Sequence, residues 1–144
     1  MELDHMVLAD VITPRADGKL DLLGIGWDTV YAESVPASHP RMDVSIRFLL
    51  SQQEVETAHS VGLVLIGEDG EELAKLNAEV GAFTPEKRAH IQAGRKVGIG
   101  MTLKIANVVF PRYGRYHLVL TWDGTEAREP IRLFVAPMPE NETR

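Results

Sequence analysis

The chain has 144 residues, a formal net charge of −6 and no cysteine. The missing cysteines exclude disulfide bonds, thiolate metal sites and a cysteine nucleophile, and the acidic charge argues against a nucleic-acid partner. No apolar run approaches the ~20 residues that span a bilayer, and the N-terminus does not resemble a signal peptide. We therefore expect a cytoplasmic protein without a membrane partner, folded as one domain over 1–138 with a polar tail at 139–144.

The first apolar segments predict strands separated by turn residues. A run over 6–12 ends at a Thr-Pro pair and predicts the first strand. Residues 19–32 carry apolar side chains on both faces, which is typical of a central strand, and Trp27 within them is interpreted as a core residue. Glycines leave two alternatives for this segment, either one long bent strand or two shorter strands broken near Gly26. Residues 34–41 hold two prolines and predict a loop.

The middle of the chain predicts three strands, two of which form a hairpin. Apolar and polar residues alternate over 43–50, and this period of two predicts a half-buried strand. Strands are also predicted over 60–66 and 73–80. The sequence Glu-Asp-Gly-Glu at 68–71 predicts the turn between them.

Residues 81–98 interrupt the strand pattern. Thr84, Pro85 and Glu86 are typical of a helix N-cap, a proline at the first helical position and an early acid. They predict one short helix or helical turn, ended by Gly94. A strand over 99–108 follows.

The segment 110–137 predicts a second hairpin, and the other strands are easiest to place around it. Its strands are predicted over 116–121 and 131–136, where apolar residues alternate with others. Asp123 and Gly124 permit a chain reversal. The polar residues 125–129 predict a loop longer than a two-residue turn.

Tyr116 opens the first strand of this hairpin, just after a glycine that permits a tight bend. In immunoglobulin-type sandwiches, a tyrosine near the start of a late strand folds its hydroxyl back onto upstream backbone, an arrangement called the tyrosine corner. We predict such a hydrogen bond here, with the ring in the core beside Leu118. The alternative is a tyrosine that only packs its ring.

The spacing of these segments predicts the fold class. About eight strands without long helices predict an all-β protein. The specific prediction is an immunoglobulin-like antiparallel β-sandwich with one short helix or helical turn.

No group of residues predicts catalysis, a metal site or a cofactor. The five histidines lack the spacing of a zinc site, and the acids near residue 69 lack the later ligands of a calcium loop. Gly18 and Lys19 lack the flanking residues of a phosphate loop, and no Gly-x-Ser-x-Gly nucleophile elbow occurs. We therefore expect neither an enzyme nor a bound cofactor.

Two groups of residues are candidates for contact with a ligand or partner. One is a basic patch, interpreted either as a solubilising loop or as a contact for an acidic partner or anionic ligand, formed by Lys87, Arg88, His90 and Arg95. The other is an aromatic pair, Tyr113 and Trp122. Trp122 is predicted to be the more exposed of the two tryptophans because it lies at the end of the hairpin.

Three short motifs carry a resemblance: Ala9-Asp10, the run GKLDLLG at 18–24, and Gly114-x-Tyr116 before the final hairpin. Together they resemble a family of small bacterial proteins that is classed only as a domain of unknown function. The resemblance spans most of the chain and implies a bacterial, cytoplasmic β-sandwich. It implies no catalytic residue.

Two hypotheses for function follow. The first is a non-enzymatic interaction or assembly module, because the edge strands of a sandwich favour a protein partner or self-association into a homo-oligomer. The second is binding of a small molecule or carbohydrate through the loop ends, with Trp122, Tyr113 and the 81–98 loop as walls.

Overall fold

The computed structural model describes residues 1–139, which form two β-sheets packed around a common hydrophobic core. The strands are β1 (Glu2–Pro14), β2 (Leu20–Ile25), β3 (Thr29–Ala32), β4 (Ala37–Leu50), β5 (His59–Gly67), β6 (Glu72–Val80), β7 (Val97–Phe110), β8 (Gly114–Trp122), β9 (Thr125–Glu126) and β10 (Ile131–Pro137). The helical elements are a 3₁₀ turn at Glu54–Glu56 and α1 (Pro85–Ala89). The all-β class is confirmed, and all but the first residue of the predicted tail lies outside the described residues.

The first sheet has the strand order β2-β1-β4-β7, and the second has the order β3-β10-β8-β5-β6 with β9 paired to the end of β8. All paired strands are antiparallel except β3, which runs parallel to β10. Over residues 1–139 the strands number ten, not about eight, because residues 19–32 divide into two strands and Thr125–Glu126 add a short one.

The core lies between β4 of the first sheet and β5 and β8 of the second. Alternate residues of β4 are fully buried, which matches the period of two predicted from the sequence: Met42, Val44, Ile46, Phe48 and Leu50. Buried residues of the other sheet complete the same cluster: Val61, Leu63, Leu65, Leu118 and Leu120. Each of these strands has a neighbour on both sides, so its inward side chains are shielded from water in every direction.

Residues 19–32 do not form a central strand, and the alternative of two shorter strands broken near Gly26 is the one observed. β2 lies at the edge of the first sheet and β3 at the edge of the second. Gly24 and Gly26 have φ values of 72° and 86°, which glycine adopts without strain, so the chain leaves the first sheet here. Trp27, predicted as a core residue, lies in this connection and is only half-buried, with its Nε1 donating to the Gly24 carbonyl at 2.7 Å.

The predicted loop at 34–41 is wrong from residue 37 onward, because β4 begins at Ala37. The first residues of β4 pair with β7 alone, since β1 joins β4 only from Asp43. The missing N–H of Pro40 therefore lies in a stretch of strand that has one free side, where proline is tolerated. Opposite Pro40, Asn107 has a φ of 53° and the strand pairing skips one position.

The turns of the two predicted hairpins differ from each other. The turn between β5 and β6 is as predicted, and Gly70 has a φ of 80°. The connection from β8 to β10 is longer than a two-residue turn, as predicted, but it begins with a tight turn into β9. Asp123 and Gly124 both have positive φ values, 49° and 83°, and Thr125 already pairs with Trp122, so this is a two-residue turn.

The predicted short helix is confirmed at its start. The Thr84 hydroxyl accepts a hydrogen bond from the amide of Lys87 at 3.2 Å, and Pro85 occupies the first helical position. The helix ends at Ala89 with His90 as its C-cap, so Gly94 belongs to a later turn and does not end the helix.

The tyrosine corner is confirmed. The Tyr116 hydroxyl donates to the Arg112 carbonyl at 2.7 Å and accepts from the Arg112 amide at 3.2 Å. The ring is buried and packs edge-on against Phe110 with ring centres 4.9 Å apart. Tyr116 thus fixes the segment that leads into β8 against the core.

Candidate functional sites

Trp122 is buried, contrary to the prediction that it is exposed. Its exposed fraction is 8%. His59 stacks on the indole with ring centres 4.7 Å apart, and Phe48 packs against it at 4.6 Å. Both covering residues come from strands distant in sequence, and they make Trp122 part of the core and unsuited to serve as a ligand platform.

Tyr113 lies at the opposite end of β8 from Trp122. It is partly exposed, and its hydroxyl donates to the Ala32 carbonyl at 3.1 Å. Because a strand advances by about 3.3 Å per residue, the two aromatic residues lie roughly 30 Å apart along the sheet. The structure therefore does not bring the predicted walls of a loop-end ligand site together.

The basic patch lies on α1 and the turn that follows it, and its side chains make local contacts. The Lys87 ammonium lies 4.2 Å from the centre of the Phe83 ring. Arg88 donates to the Phe83 carbonyl at 3.1 Å, and Arg95 donates to the side chain of a nearby glutamine at 3.3 Å. His90 is the exposed C-cap of the helix. These contacts agree with a solubilising loop, and an acidic partner for the patch stays a prediction.

A polar cluster that the sequence analysis missed joins His59 to Asp123. The His59 Nδ1 lies 2.8 Å from an Asp123 carboxylate oxygen, and the Nε2 lies 2.6 Å from the Glu54 carbonyl oxygen. Both partners can only accept a hydrogen bond, so the arrangement favours the imidazolium form, in which both ring nitrogens donate. Burial lowers the pKa of His59, but the hydrogen bonds outweigh it and hold the pKa above its ordinary value. The bond from His59 lowers the pKa of Asp123.

This cluster has the residue types of an acid–base pair, but it lacks a histidine nitrogen that is free to accept a proton. A general base must be able to take a proton from a substrate, and both nitrogens of His59 are already donating. The other oxygen of Asp123 accepts from the Ser60 amide at 2.9 Å. The cluster is therefore a structural clamp that joins the start of β5, the 3₁₀ turn and the turn after β8.

β2 was predicted to be part of a central strand, but it lies at the edge of its sheet and its outer edge is exposed. Leu20, Leu23 and Ile25 are 36%, 65% and 58% exposed. Within the described part of the chain, β2 pairs with β1 on one side and with no strand on the other, so its edge presents unpaired backbone groups. The edge strand β6 differs, because it carries charged residues such as Lys75 and Glu79 that disfavour pairing with another chain.

The chain matches the family model described as "Family of unknown function (DUF6941)" over residues 4–135. The chain belongs to this family. Membership of DUF6941 agrees with the resemblance to an uncharacterised family and supplies no residue roles. No curated protein matches the chain. Across 1–139, none of the helices is long and apolar enough to cross a membrane.

Proposed function

We propose that the protein is a non-enzymatic interaction module that self-associates through the edge of β2. The observation that carries this proposal is the exposure of two apolar side chains, Leu23 and Ile25, on a strand whose outer edge is unpaired within residues 1–139. A second strand added there would pair the free backbone groups and remove these side chains from water. The acidic charge of the chain supports a protein partner over a nucleic acid.

A second copy of the same chain fits this edge. In an antiparallel pair of β2 strands centred on Leu23, Leu23 lies opposite its own copy and Asp21 lies opposite Ile25. Like charges therefore do not face each other, which cross-strand pairing requires. Such a pair has twofold symmetry, the commonest symmetry of protein dimers.

The distribution of charge also favours the edge of β2 as the surface for self-association. Two copies with a formal charge of −6 each repel one another over most of their surfaces. β2 carries one charged residue, Asp21, and an Arg15 nitrogen lies 3.8 Å from its carboxylate. This edge is therefore a place where two copies can approach closely at little electrostatic cost.

Sedimentation velocity over a wide concentration range tests the proposal. We expect the parent protein to form a dimer as its concentration rises. Leu23→Lys places a charge on the proposed interface and should keep the protein monomeric. Val109→Lys is the matched control, because Val109 is also apolar and 52% exposed but lies on β7, the opposite edge of the same sheet.

The proposal fails if the parent protein stays a strict monomer at high concentration. It also fails if Leu23→Lys dimerises like the parent, because association would then use another surface. Val109→Lys should dimerise normally, and dissociation of that variant would move the interface to β7. Circular dichroism melts of the variants show that any loss of dimer does not come from unfolding.

A further inference from the structure

The β1–β2 hairpin and the outer face of the first sheet enclose a groove of about 620 Å³. Val7, Leu20 and Leu22 form apolar walls, and Ser45 and Arg47 lie opposite the hairpin. These two residues of β4 alternate with residues that point into the core, so they lie on the outer face of the sheet. The volume is within the range of about 300–1,000 Å³ that is typical of small-molecule sites.

A buried carboxylate holds the hairpin over the sheet. Asp43 is the strand partner of Ala9, yet one of its oxygens accepts a hydrogen bond from the amide of Ile12 at 2.9 Å. Three residues of a straight strand would span about 10 Å, so β1 must bend toward the sheet after Ala9. Arg41 donates to the same carboxylate at 2.6 Å, and Asp43 is fully buried. The hairpin wall of the groove is therefore fixed by the fold before any ligand arrives.

The floor of the groove is open at β7 because residue 100 has no side chain. Gly100 is the strand partner of Arg47, and a Cβ there would meet nothing closer than the Ile46 carbonyl oxygen at 4.0 Å. Gly98 differs, because a Cβ there would overlap the Arg47 guanidinium. Glycine in the middle of a strand often marks the close approach of a ligand or another backbone. Gly98 accommodates Arg47, and Gly100 leaves space beside it.

The groove is cationic although the protein is acidic. Lys19 from the hairpin and Arg47 from β4 both line it, and none of its lining residues is acidic. Asp4, which lies outside the lining, pairs with one nitrogen of Arg47 at 2.7 Å. On the floor, the His5 Nε2 and the Ser45 hydroxyl lie 2.9 Å apart and form a polar pair. The charge that complements this groove is therefore negative.

We propose that this groove binds a small organic carboxylate with an apolar chain. The carboxylate lies near Lys19 and Arg47, and the chain lies against Val7, Leu20 and Leu22. The groove and the proposed dimer edge use different side chains, because Leu23 and Ile25 do not line the groove. The two proposals can therefore fail independently.

Titration calorimetry with octanoate tests the ligand class. Acetate has the same charge without the chain, and octanol has the same chain without the charge. We expect octanoate to bind more tightly than either, because only octanoate uses the cations and the apolar walls together. Absence of octanoate binding, or equal binding of acetate or octanol, would overturn the proposal.

Two variants test the location. Gly100→Val fills the open floor and should weaken octanoate binding by about tenfold or more, because the ligand must occupy that space. Ala106→Val is the matched control, since Ala106 is exposed on the same strand and does not line the groove. Lys19→Gln removes one exposed cation and should weaken octanoate binding by about 1.5- to fivefold, as for other exposed ion pairs.

The location is wrong if Gly100→Val folds and binds octanoate as the parent does. If valine at this position unfolds the protein, Lys19→Gln is the deciding variant, because Lys19 is exposed on a turn and its replacement should leave the fold intact. Unchanged octanoate affinity in Lys19→Gln would then count against the groove. Leu23→Lys should bind octanoate normally. This result separates ligand binding from self-association.

Discussion

β8 and the β1–β2 hairpin contain similar alternating apolar residues but use them differently. β8 lies inside its sheet, and its inward apolar residues are buried against β4 of the other sheet. Hydrogen bonds satisfy polar groups at both ends of β8, through Tyr116 at the start and Asp123 just after the end. β2 lies at an edge, and Leu23 and Ile25 remain in water. The comparison shows that position within the sheet decides whether an apolar strand serves the fold or is available to a partner.

The largest expected difference between the two regions is in the cost of deleting a leucine side chain. Leu118 of β8 is fully buried, so Leu118→Ala should lower the free energy of unfolding by about 2–5 kcal/mol. Leu23→Ala, on the exposed edge, should change it by less than about 0.5 kcal/mol at concentrations where the protein is monomeric. Urea denaturation of both variants checks this. Equal losses of unfolding free energy in the two variants would show that β2 and β8 do not differ in how much their leucines stabilise the fold.

The hairpin should depend on one buried carboxylate. Asp43→Asn weakens the bonds from Arg41 and Ile12, and should lower the free energy of unfolding by about 1–3 kcal/mol at pH 7. Burial raises the pKa of Asp43, but the hydrogen bonds from Arg41 and Ile12 outweigh it and hold the pKa below its ordinary value. The stabilisation is therefore fully present above the unfolded pKa of roughly 3.9 and is lost as the pH falls through the folded value.

Urea denaturation of the parent and Asp43→Asn across acidic pH values measures this dependence. The difference between the two proteins should shrink as the pH falls. A difference that is constant from neutral to strongly acidic pH would show that the carboxylate charge does not hold the hairpin.

The tyrosine corner should contribute less to the free energy of unfolding than the Asp43 carboxylate. Tyr116→Phe removes the hydroxyl that bonds to Arg112 and should lower the free energy of unfolding by about 0.5–1.5 kcal/mol. Tyr113→Phe is the control, because its hydroxyl also bonds to a backbone carbonyl but its side chain is partly exposed. Octanoate binding should survive Tyr116→Phe. A denaturation curve for Tyr116→Phe that matches the parent would show that the corner does not stabilise the fold.

The smallest expected effect is at the His59–Asp123 clamp. Asp123→Asn keeps a residue that tolerates the positive φ of this turn, but removes the charge partner of the imidazolium. We expect a loss of about 0.2–1 kcal/mol at pH 6, as for other partly exposed ion pairs. Because the folded pKa of His59 is raised, its stabilisation is present below roughly pH 6.5 and is lost as the pH rises through the folded pKa.

Stability measured at pH 6 and pH 9 checks this prediction. The parent and Asp123→Asn should differ more at pH 6 than at pH 9. An equal difference at the two pH values would mean that His59 is already neutral at pH 6 in the folded protein.

Sequence reasoning succeeded where the deciding signal was local. The strands 43–50 and 60–66 carry their alternation within a few residues, and Tyr116 follows a glycine that permits the required bend. Thr84 and Pro85 likewise specify the start of α1 by their own chemistry.

It failed where a distant segment decides the environment. Apolar residues on both faces suggested that 19–32 was central, but nothing in that segment encodes that β2 pairs with only one strand among residues 1–139. Trp122 is covered by His59, and the two are brought together only when β5 pairs with β8. The groove unites four separate segments, so its cationic character is invisible until the hairpin bends over Asp43.

The parallel pairing of β3 with β10 constrains how the protein is made. Thr29 pairs with Phe134, and most of the chain lies between them. Contacts between such distant residues form only after a large loss of chain entropy, so they form late. On the ribosome, the hairpins β1–β2 and β5–β6 can form as soon as they emerge. β3 must remain unpaired in the nascent chain until β10 has been synthesised.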